Sequence, residues 1–438
     1  LLVSVGLAWV AVLLTVAARL LQAVIALSIV YVCYLAWEGW RTIRDAQTIR
    51  DAQTIRDAQG TAVPPPGLRP WVTVVVPARD EAAVIGQVVR DLAAQRYEDE
   101  LGPRFDVLVI DDGSRDGTGD LARQAAVELG DRFRLTRREA GDGPRTKGAA
   151  LAFAQNQVRG EIIGVLDADS RVAPDYLERA IGAWGRDPDA AALQTRRAAH
   201  NLRRGWLPAA QEEELLMDLA SQCGRWATDG TAELRGTGMF LRRAVLERVG
   251  GWDRSALTED LEISTRLAAA GEHVTLAPEA VQREEAVETL HGLWDQRMRW
   301  AEGSMRRLID LGPGLLASRK LALQKRLDFL LFVTEFLVPP LFVATIAASV
   351  LTVWLPRDAD WTVPATLFVG YGTGTFLLAL AGLMATGERG WRAVARAARG
   401  SLFLSHWLAV VPIALVKIAF DAPTAEFNRT PRSVHRDA

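Results

Sequence analysis

Cysteine is almost missing from this chain of 438 residues, which holds only Cys33 and Cys223. The first lies in an apolar run and the second far from any His or Cys cluster. That excludes a disulfide framework and a structural zinc site, and it assigns the soluble part to a reducing compartment. A basic surplus is missing too. The 51 Lys and Arg stand against 53 Asp and Glu, for a formal charge of -2, so no nucleic-acid partner held by counterion release is expected. No Met stands at Leu1, which leaves the natural start and any leader open.

What is abundant is apolar sequence at both ends. Residues 1–37 are almost wholly apolar apart from Arg19 and Gln22. As one helix they would extend about 55 Å, too long for one crossing of a ~30 Å hydrocarbon core. This predicts two N-terminal transmembrane helices within residues 1–40, with a polar break at 19–22; a single kinked or tilted helix is the rival. Further apolar stretches cover about 328–355, 362–386 and 401–420, within a C-terminal membrane region at 327–420. Pro339 and Pro340 are expected to kink the first stretch or split off a re-entrant piece. Positive-inside bias puts the basic segments 41–56 and 389–399 in the cytoplasm. Three crossings would then leave Arg429, Arg432 and Arg436 of the tail, 421–438, outside, so the crossing number stays open. No further domain is expected after the last span.

Between these ends the texture changes. Residues 42–59 repeat Thr-Ile-Arg-Asp-Ala-Gln three times. A period of six builds no apolar helix face, so a solvated helical or flexible spacer is expected over 41–70, ending in a stiff Pro-rich linker. From Trp71, short apolar runs end in polar turns: residues 72–76 before Arg79-Asp80-Glu81, 107–110 before Asp111-Asp112-Gly113-Ser114, and 162–166 before Asp167-Ala168-Asp169. Helix-like stretches separate them. Strand and helix in alternation predict an α/β domain over 71–285 with a mostly parallel, doubly wound sheet. Ligands of such sheets sit beyond the carboxyl ends of the strands, where these acids fall. Amphipathic interface helices are expected over 286–326.

Each cluster has a chemical reading beside a plain one. Asp167 and Asp169, two apart at a strand end, would point the same way on extended backbone. With phosphate oxygens they suit Mg²⁺ or Mn²⁺; otherwise they cap a turn. Asp111 and Asp112 suit a pyrimidine or ribose edge, or form an Asx turn, and Arg79-Asp80-Glu81 invites the same pair of readings. Lys147 opens a helix and reads as a surface lysine within reach of phosphate. In Thr258-Glu259-Asp260 a carboxylate is placed to take a proton from a hydroxyl, while Thr258 caps the helix. In Gln296-Arg297-Met298-Arg299-Trp300, helical spacing sets Gln296, Arg299 and Trp300 on one wall, suited to phosphate and a sugar face. A basic helix lying on a membrane would show the same pattern.

Taken in order, Asp111-Asp112-Gly113-Ser114, Asp167-Ala168-Asp169, Gly236-Thr237-Gly238, Thr258-Glu259-Asp260 and Gln296-Arg297-Met298-Arg299-Trp300 resemble the motif series of family 2 membrane glycosyltransferases. That family includes synthases of cellulose, hyaluronan and poly-N-acetylglucosamine, and cyanobacterial-type synthases that glucosylate diacylglycerol. The resemblance runs over about 71–301. It implies a nucleotide-sugar-binding domain of GT-A type between membrane helices, and inverting transfer of glucose or N-acetylglucosamine from a UDP-α-sugar, with Mg²⁺ or Mn²⁺, in β linkage to a membrane-associated acceptor, either a growing polysaccharide or a diacylglycerol-type lipid. The catalytic domain would face the cytoplasm at the cell inner membrane.

By the same resemblance Asp112, with Asp111, would bind uridine. Asp167 would contact UDP, Asp169 would hold the metal with Asp167, and Asp260 would be the general base beside Glu259. Arg299 would meet the diphosphate, with Gln296 on the same wall, and Trp300 would close over UDP or stack near the acceptor. Gly236, Thr237 and Gly238 would line the acceptor end, and Glu81 would contact the donor. The chain departs from the pattern at Asp80, where an Asn before the Glu is common. It departs again at Glu302, where polymer synthases often carry Gln. Glu302 and His406-Trp407 look more like the lipid glucosyltransferases. A non-catalytic nucleotide-sugar sensor or scaffold is the alternative from another class.

Overall fold

The computed structural model describes residues 2–58, 69–139, 141–352 and 365–420, with side chains at 19–20, 22–48, 69–139, 141–344 and 366–420. The Pro-rich stretch at 60–68 and the tail at 421–438 lie outside the described residues.

Helix α1 runs unbroken from Leu2–Ala58, so the two-helix expectation is corrected to one. The polar interruption satisfies itself within that helix: Arg19 Nη1 donates to Gln22 Oε1, three residues on, at 3.0 Å. The repeat begins on the same helix, and its first Ile, Ile43, is fully buried. The start of the repeat therefore packs; it is not a solvated spacer.

The domain follows as β1 (Val72–Ala78), α2 (Ile85–Ala93), a small hairpin of β2 (Glu98–Asp99) and β3 (Gly102–Pro103), β4 (Phe105–Asp111), α3 (Thr118–Ala125), β5 (Phe133–Arg137), α4 (Lys147–Ala154), β6 (Ile162–Val165), β7 (Arg171–Val172) and α5 (Tyr176–Trp184). It continues with β8 (Ala192–Ala199), α6 (Trp206–Ala227), β9 (Met239–Arg242), α7 (Arg243–Arg248), α8 (Glu259–Ala269) and β10 (Val274–Glu284). The main sheet has the order β5-β4-β1-β6-β9-β8-β10-β7. Strands β5, β4, β1 and β6 run parallel, as do β8 and β10, while β9 is antiparallel to both β6 and β8.

Strand periodicity divides the core. Val72, Val74 and Val76 of β1 pack on one face with Val88 and Leu92 of α2, and Val75 on the other with Leu151 of α4 and Ile263 of α8. Because Ala78 of β1 pairs with Asp111 of β4, and Val75 with Val165 of β6, three polar turns leave the sheet at one edge.

After the domain come α9 (Leu290–Ala317), α10 (Leu323–Thr352), α11 (Ala365–Ala385), α12 (Gly390–Phe403) and α13 (Trp407–Phe420). By length and composition, the described residues contain four segments able to cross a membrane: Gln22–Thr48, Leu323–Ala344, Thr366–Ala385 and Gly390–Phe420. One precedes the domain and three follow it. Helix α10 continues through Pro339 and Pro340, so no re-entrant piece splits off. A 3-10 turn, Leu404–His406, divides the last segment. Its first half is the expected basic segment, and it docks on the domain: Arg396 and Arg399 donate to Glu213 of α6, which is fully buried.

Helix α6 ties the parts together. Buried Arg225 donates to Asp328 of α10 at 3.1 Å, and Tyr31 of α1 donates to the same carboxylate at 2.6 Å. Breaking one member of such a buried pair typically costs about 3–5 kcal/mol, because the other charge is left stranded.

Candidate active site

The first two turns interlock. Asp80 has a left-handed backbone, φ 53, which Asp and Asn tolerate better than other side chains. Its N–H donates to Ser114 Oγ at 3.0 Å, its carboxylate accepts from Arg115 N at 2.8 Å, and Glu81 N donates to Thr118 Oγ1 at 2.8 Å. The departure from Asn at this position therefore keeps the same turn chemistry. Within the next turn the two acids separate. Asp112 lines the cavity and pairs with Arg138 at 2.6 Å. Asp111 is buried, accepts from Ser114 N at 2.8 Å and pairs with Arg137 at 2.7 Å. It stands outside the cavity wall that Asp112 lines and builds the turn.

Beyond β6 the chain turns at Ala168 and Asp169, so the extended backbone expected there is not found. Both acids nevertheless line the cavity. Thr237 sets this turn from beneath: its Oγ1 accepts from Asp167 N at 3.1 Å and lies 3.1 Å from Ser170 Oγ. Thr237 is buried, and a Cβ on Gly238 would come 2.3 Å from Thr195 Oγ1. Of the three residues Gly236-Thr237-Gly238, only Gly236 lines the cavity; the other two support it.

Lys147 is corrected from a surface lysine to the cation at the centre of the site. Its helix α4 is capped by Thr146, whose side chain accepts from Ala149 N. Lys147 Nζ donates to Asp167 Oδ1 at 2.5 Å and to the Gly236 carbonyl at 2.7 Å, and it lies 3.4 Å from Glu259. Glu259 and Asp260 open α8 and face the same cavity. Thr258 occupies the N-cap position without a side-chain cap bond, so the expected capping role is not seen.

Opposite, α9 carries Gln296, Arg299 and Trp300 on the cavity wall. Arg297 points inward to Glu214 of α6, whose carboxylate also accepts from Trp407 Nε1 at 3.0 Å. The guanidinium of Arg297 lies 4.2 Å from the Trp300 ring centre, and that of Arg197 lies 5.7 Å from it. Glu302 accepts from Lys417 of α13 at 2.8 Å, so it joins α9 to α13, while Trp407 joins α13 to α6.

Asp112, Lys147, Asp167, Asp169, Asp260 and Arg299 line one cavity of about 1240 Å³ that continues between α10, α11 and α13, past Phe336, Phe342, Phe368, Tyr371 and Leu408. Polar at the sheet and apolar at the helices, it joins a site for a charged donor to a route among candidate membrane spans.

Residues 66–303 match the family described as "Glycosyltransferase like family 2". The β-monoglucosyldiacylglycerol synthase of Synechocystis sp. is 31% identical over 367 residues, covering 82% of this chain and 74% of that protein. The chain belongs to glycosyltransferase family 2. Another relative within it is the poly-β-1,6-N-acetyl-D-glucosamine synthase of Staphylococcus aureus, 28% identical over 53% of this chain and 54% of that one. The fold is that of a solved mannosyltransferase, PcManGT from Pyrobaculum calidifontis in complex with GDP-Man and Mn2+. The two share a TM-score of 0.53 and 22% identity over 88% of this chain and 99% of that one. The protein is thus a membrane glycosyltransferase with a GT-A-like domain.

For this family 2 enzyme the electrostatics of the acid pair follow from burial. Desolvation pushes Glu259 up to about 7 against the pull of Lys147, with Asp260 adding like charge. Burial likewise raises Asp260, resisted by the Leu261 backbone and by Lys147. For Lys147 burial favours the neutral form, yet the Asp167 and Glu259 carboxylates outweigh it and hold the amine charged. Burial lowers Arg299, partly offset by Glu259, Asp295 and Asp167.

Proposed function

We propose that the chain transfers glucose from UDP-glucose to the free hydroxyl of diacylglycerol, inverting the anomeric centre to leave a β-linked glycolipid. The observation that carries this reading is the single cavity joining Asp167, Asp169 and Asp260 to the apolar walls of α10 and α11. A hydrophobic acceptor reaches the acids along it without leaving the membrane. The similarity to a β-monoglucosyldiacylglycerol synthase over most of the chain supports glucose and diacylglycerol. The polymer-synthase relative aligns with little more than half of it.

In this reading Asp260 takes the hydroxyl proton as the oxygen attacks. Glu259, next to it, sets the field in which Asp260 ionises. Arg299 meets the diphosphate, Gln296 and Trp300 complete the wall, and Asp112 with Glu81 receives the nucleoside end. Among the described residues no group of three or more His, Cys, Asp or Glu side chains gathers as a metal site. Two carboxylates suit a hard cation that completes its shell with phosphate oxygens and water, and Asp167 and Asp169 both face the cavity. They would hold Mg²⁺ or Mn²⁺, Asp167 while also pairing with Lys147. Bound there, the ion would neutralise charge on the departing diphosphate. The docking of basic α12 on the domain supports a cytoplasmic domain at the inner membrane.

The test is product analysis. Purified protein in detergent is incubated with labelled UDP-glucose, Mg²⁺ and diacylglycerol. An organic-soluble, alkali-sensitive glycolipid cleaved by a β-glucosidase is expected. Label in a large glycan instead would overturn the acceptor assignment.

A further inference from the structure

Helix α10 carries a carboxyl group at membrane depth. Glu335 lies near the middle of the candidate span Leu323–Ala344 and lines the cavity. It makes no hydrogen bond or ion pair with any described residue. The cations that act on it are already matched: Arg225 binds Asp328 at 3.1 Å, and Arg235 binds Asp218 at 3.0 Å and Glu233 at 3.1 Å. Around and beyond Glu335 the wall turns apolar, with Phe336, then Phe342 and Phe368 packed edge to face at 4.5 Å between ring centres. Buried polar groups are normally hydrogen-bonded. An ionisable side chain inside a membrane span is costly and marks a functional position. This one has space in front of it in place of a partner.

We infer that Glu335 positions the acceptor, its carboxyl taking a hydrogen bond from the glycerol hydroxyl at the boundary where the cavity changes from polar to apolar. The inference rests on the glycolipid reading above and assigns the acceptor subsite within it. A hydroxyl is a suitable partner because it donates. The acyl chains then lie along the Phe336, Phe342 and Phe368 side of the cavity. Asp260 also makes no ion pair with a described residue, so the hydroxyl meets one open carboxylate on arrival and another at the reaction. A phosphate anion in this apolar stretch would carry a large desolvation cost, which disfavours a phospholipid as acceptor. The acceptor class is therefore a neutral lipid with a free hydroxyl.

Kinetics on full-length protein test this, with dioleoylglycerol in dodecyl maltoside micelles as acceptor. Glu335→Leu is expected to raise the acceptor KM at least about tenfold while leaving the UDP-glucose KM and acceptor-free UDP release unchanged. Glu335→Gln, which still accepts a hydrogen bond, is expected to stay near wild type. An unchanged acceptor KM in Glu335→Leu overturns the assignment while glycolipid synthesis by the wild type stands; no glycolipid from the wild type sinks both readings. Should Glu335→Leu fail to fold, a photoreactive diacylglycerol decides with the wild type alone. Labelling within residues 323–344 that unlabelled diacylglycerol displaces supports the subsite, and labelling confined elsewhere overturns it.

Discussion

A Cβ placed on Gly303 would lie 2.5 Å from the methyl of Thr258. Helix α9 therefore approaches the start of α8 only because residue 303 has no side chain, and that approach sets the wall of Arg299 and Trp300 against Glu259 and Asp260. Gly303→Ala is expected to force the two helices apart at a cost of about 1–3 kcal/mol. Transfer should fall more than UDP binding, because the wall shifts relative to the acids. Isothermal titration with UDP and initial rates of transfer on the same preparation check it.

Asp260→Asn removes the base and keeps the shape. Transfer is expected to drop by roughly 10²–10⁴, with UDP affinity nearly unchanged. Equal loss of both would show that Asp260 holds the donor and is not the proton acceptor.

The acid pair also dictates a pH profile. Glu259 is raised to about 7, first by burial and then by Asp260, and Asp260 is raised by burial. A raised carboxyl binds a proton in the folded state that the unfolded state has released, so its contribution to stability is fullest below the unfolded pKa and is lost as pH rises through about 7. Activity runs the other way, because the base must be ionised. The rate should climb on an acid limb belonging to the pair as a unit. Glu259→Gln removes one negative charge beside Asp260 and should move that limb to lower pH. A limb that stays put would separate Glu259 from the ionisation that controls the rate.

Lys147 offers a different kind of test, since it neutralises Asp167 and Glu259 together. Lys147→Met is expected to cost roughly 1–3 kcal/mol, toward the low end because Asp167 is partly exposed. It should also raise the acid limb further, because Glu259 and Asp260 lose the cation that favours their charged forms. Thermal unfolding in detergent and a pH–rate profile read the two effects separately.

Local motifs were legible because their chemistry is carried by neighbours in the chain. The strand runs before Asp112 and Asp167 gave the sheet edge, and helical spacing set Gln296, Arg299 and Trp300 on one wall. What was not legible depends on partners far away in sequence. Asp111 reads like Asp112 until Arg137 claims it, and Lys147 looks like any surface lysine until Asp167 and Gly236 close on it. Helix α6 carries no motif, yet Glu213, Glu214 and Arg225 fasten α12, α9 and α10 to the domain. The break expected at Arg19 and Gln22 failed for a local reason: two polar residues three apart bond each other on one helix face.

The two acids of Asp167-Ala168-Asp169 are not equivalent, and metal titration should reveal it. Asp167 shares its charge with Lys147 at 2.5 Å, so replacing it disturbs the buried cation and the Gly236 turn as well as any metal. Asp169 accepts from the Glu285 backbone N–H at 3.3 Å and faces the cavity, where a cation would arrive with the diphosphate. Chelation is expected to stop transfer, and Mg²⁺ or Mn²⁺ to restore it. UDP should still bind weakly without metal, because Lys147 and Arg299 remain as cations in the site. Asp169→Asn should raise the metal concentration for half-maximal rate at least about tenfold. Asp167→Asn should lower stability and rate together. Equal metal requirements in both variants would show that the ion sits elsewhere or is not needed.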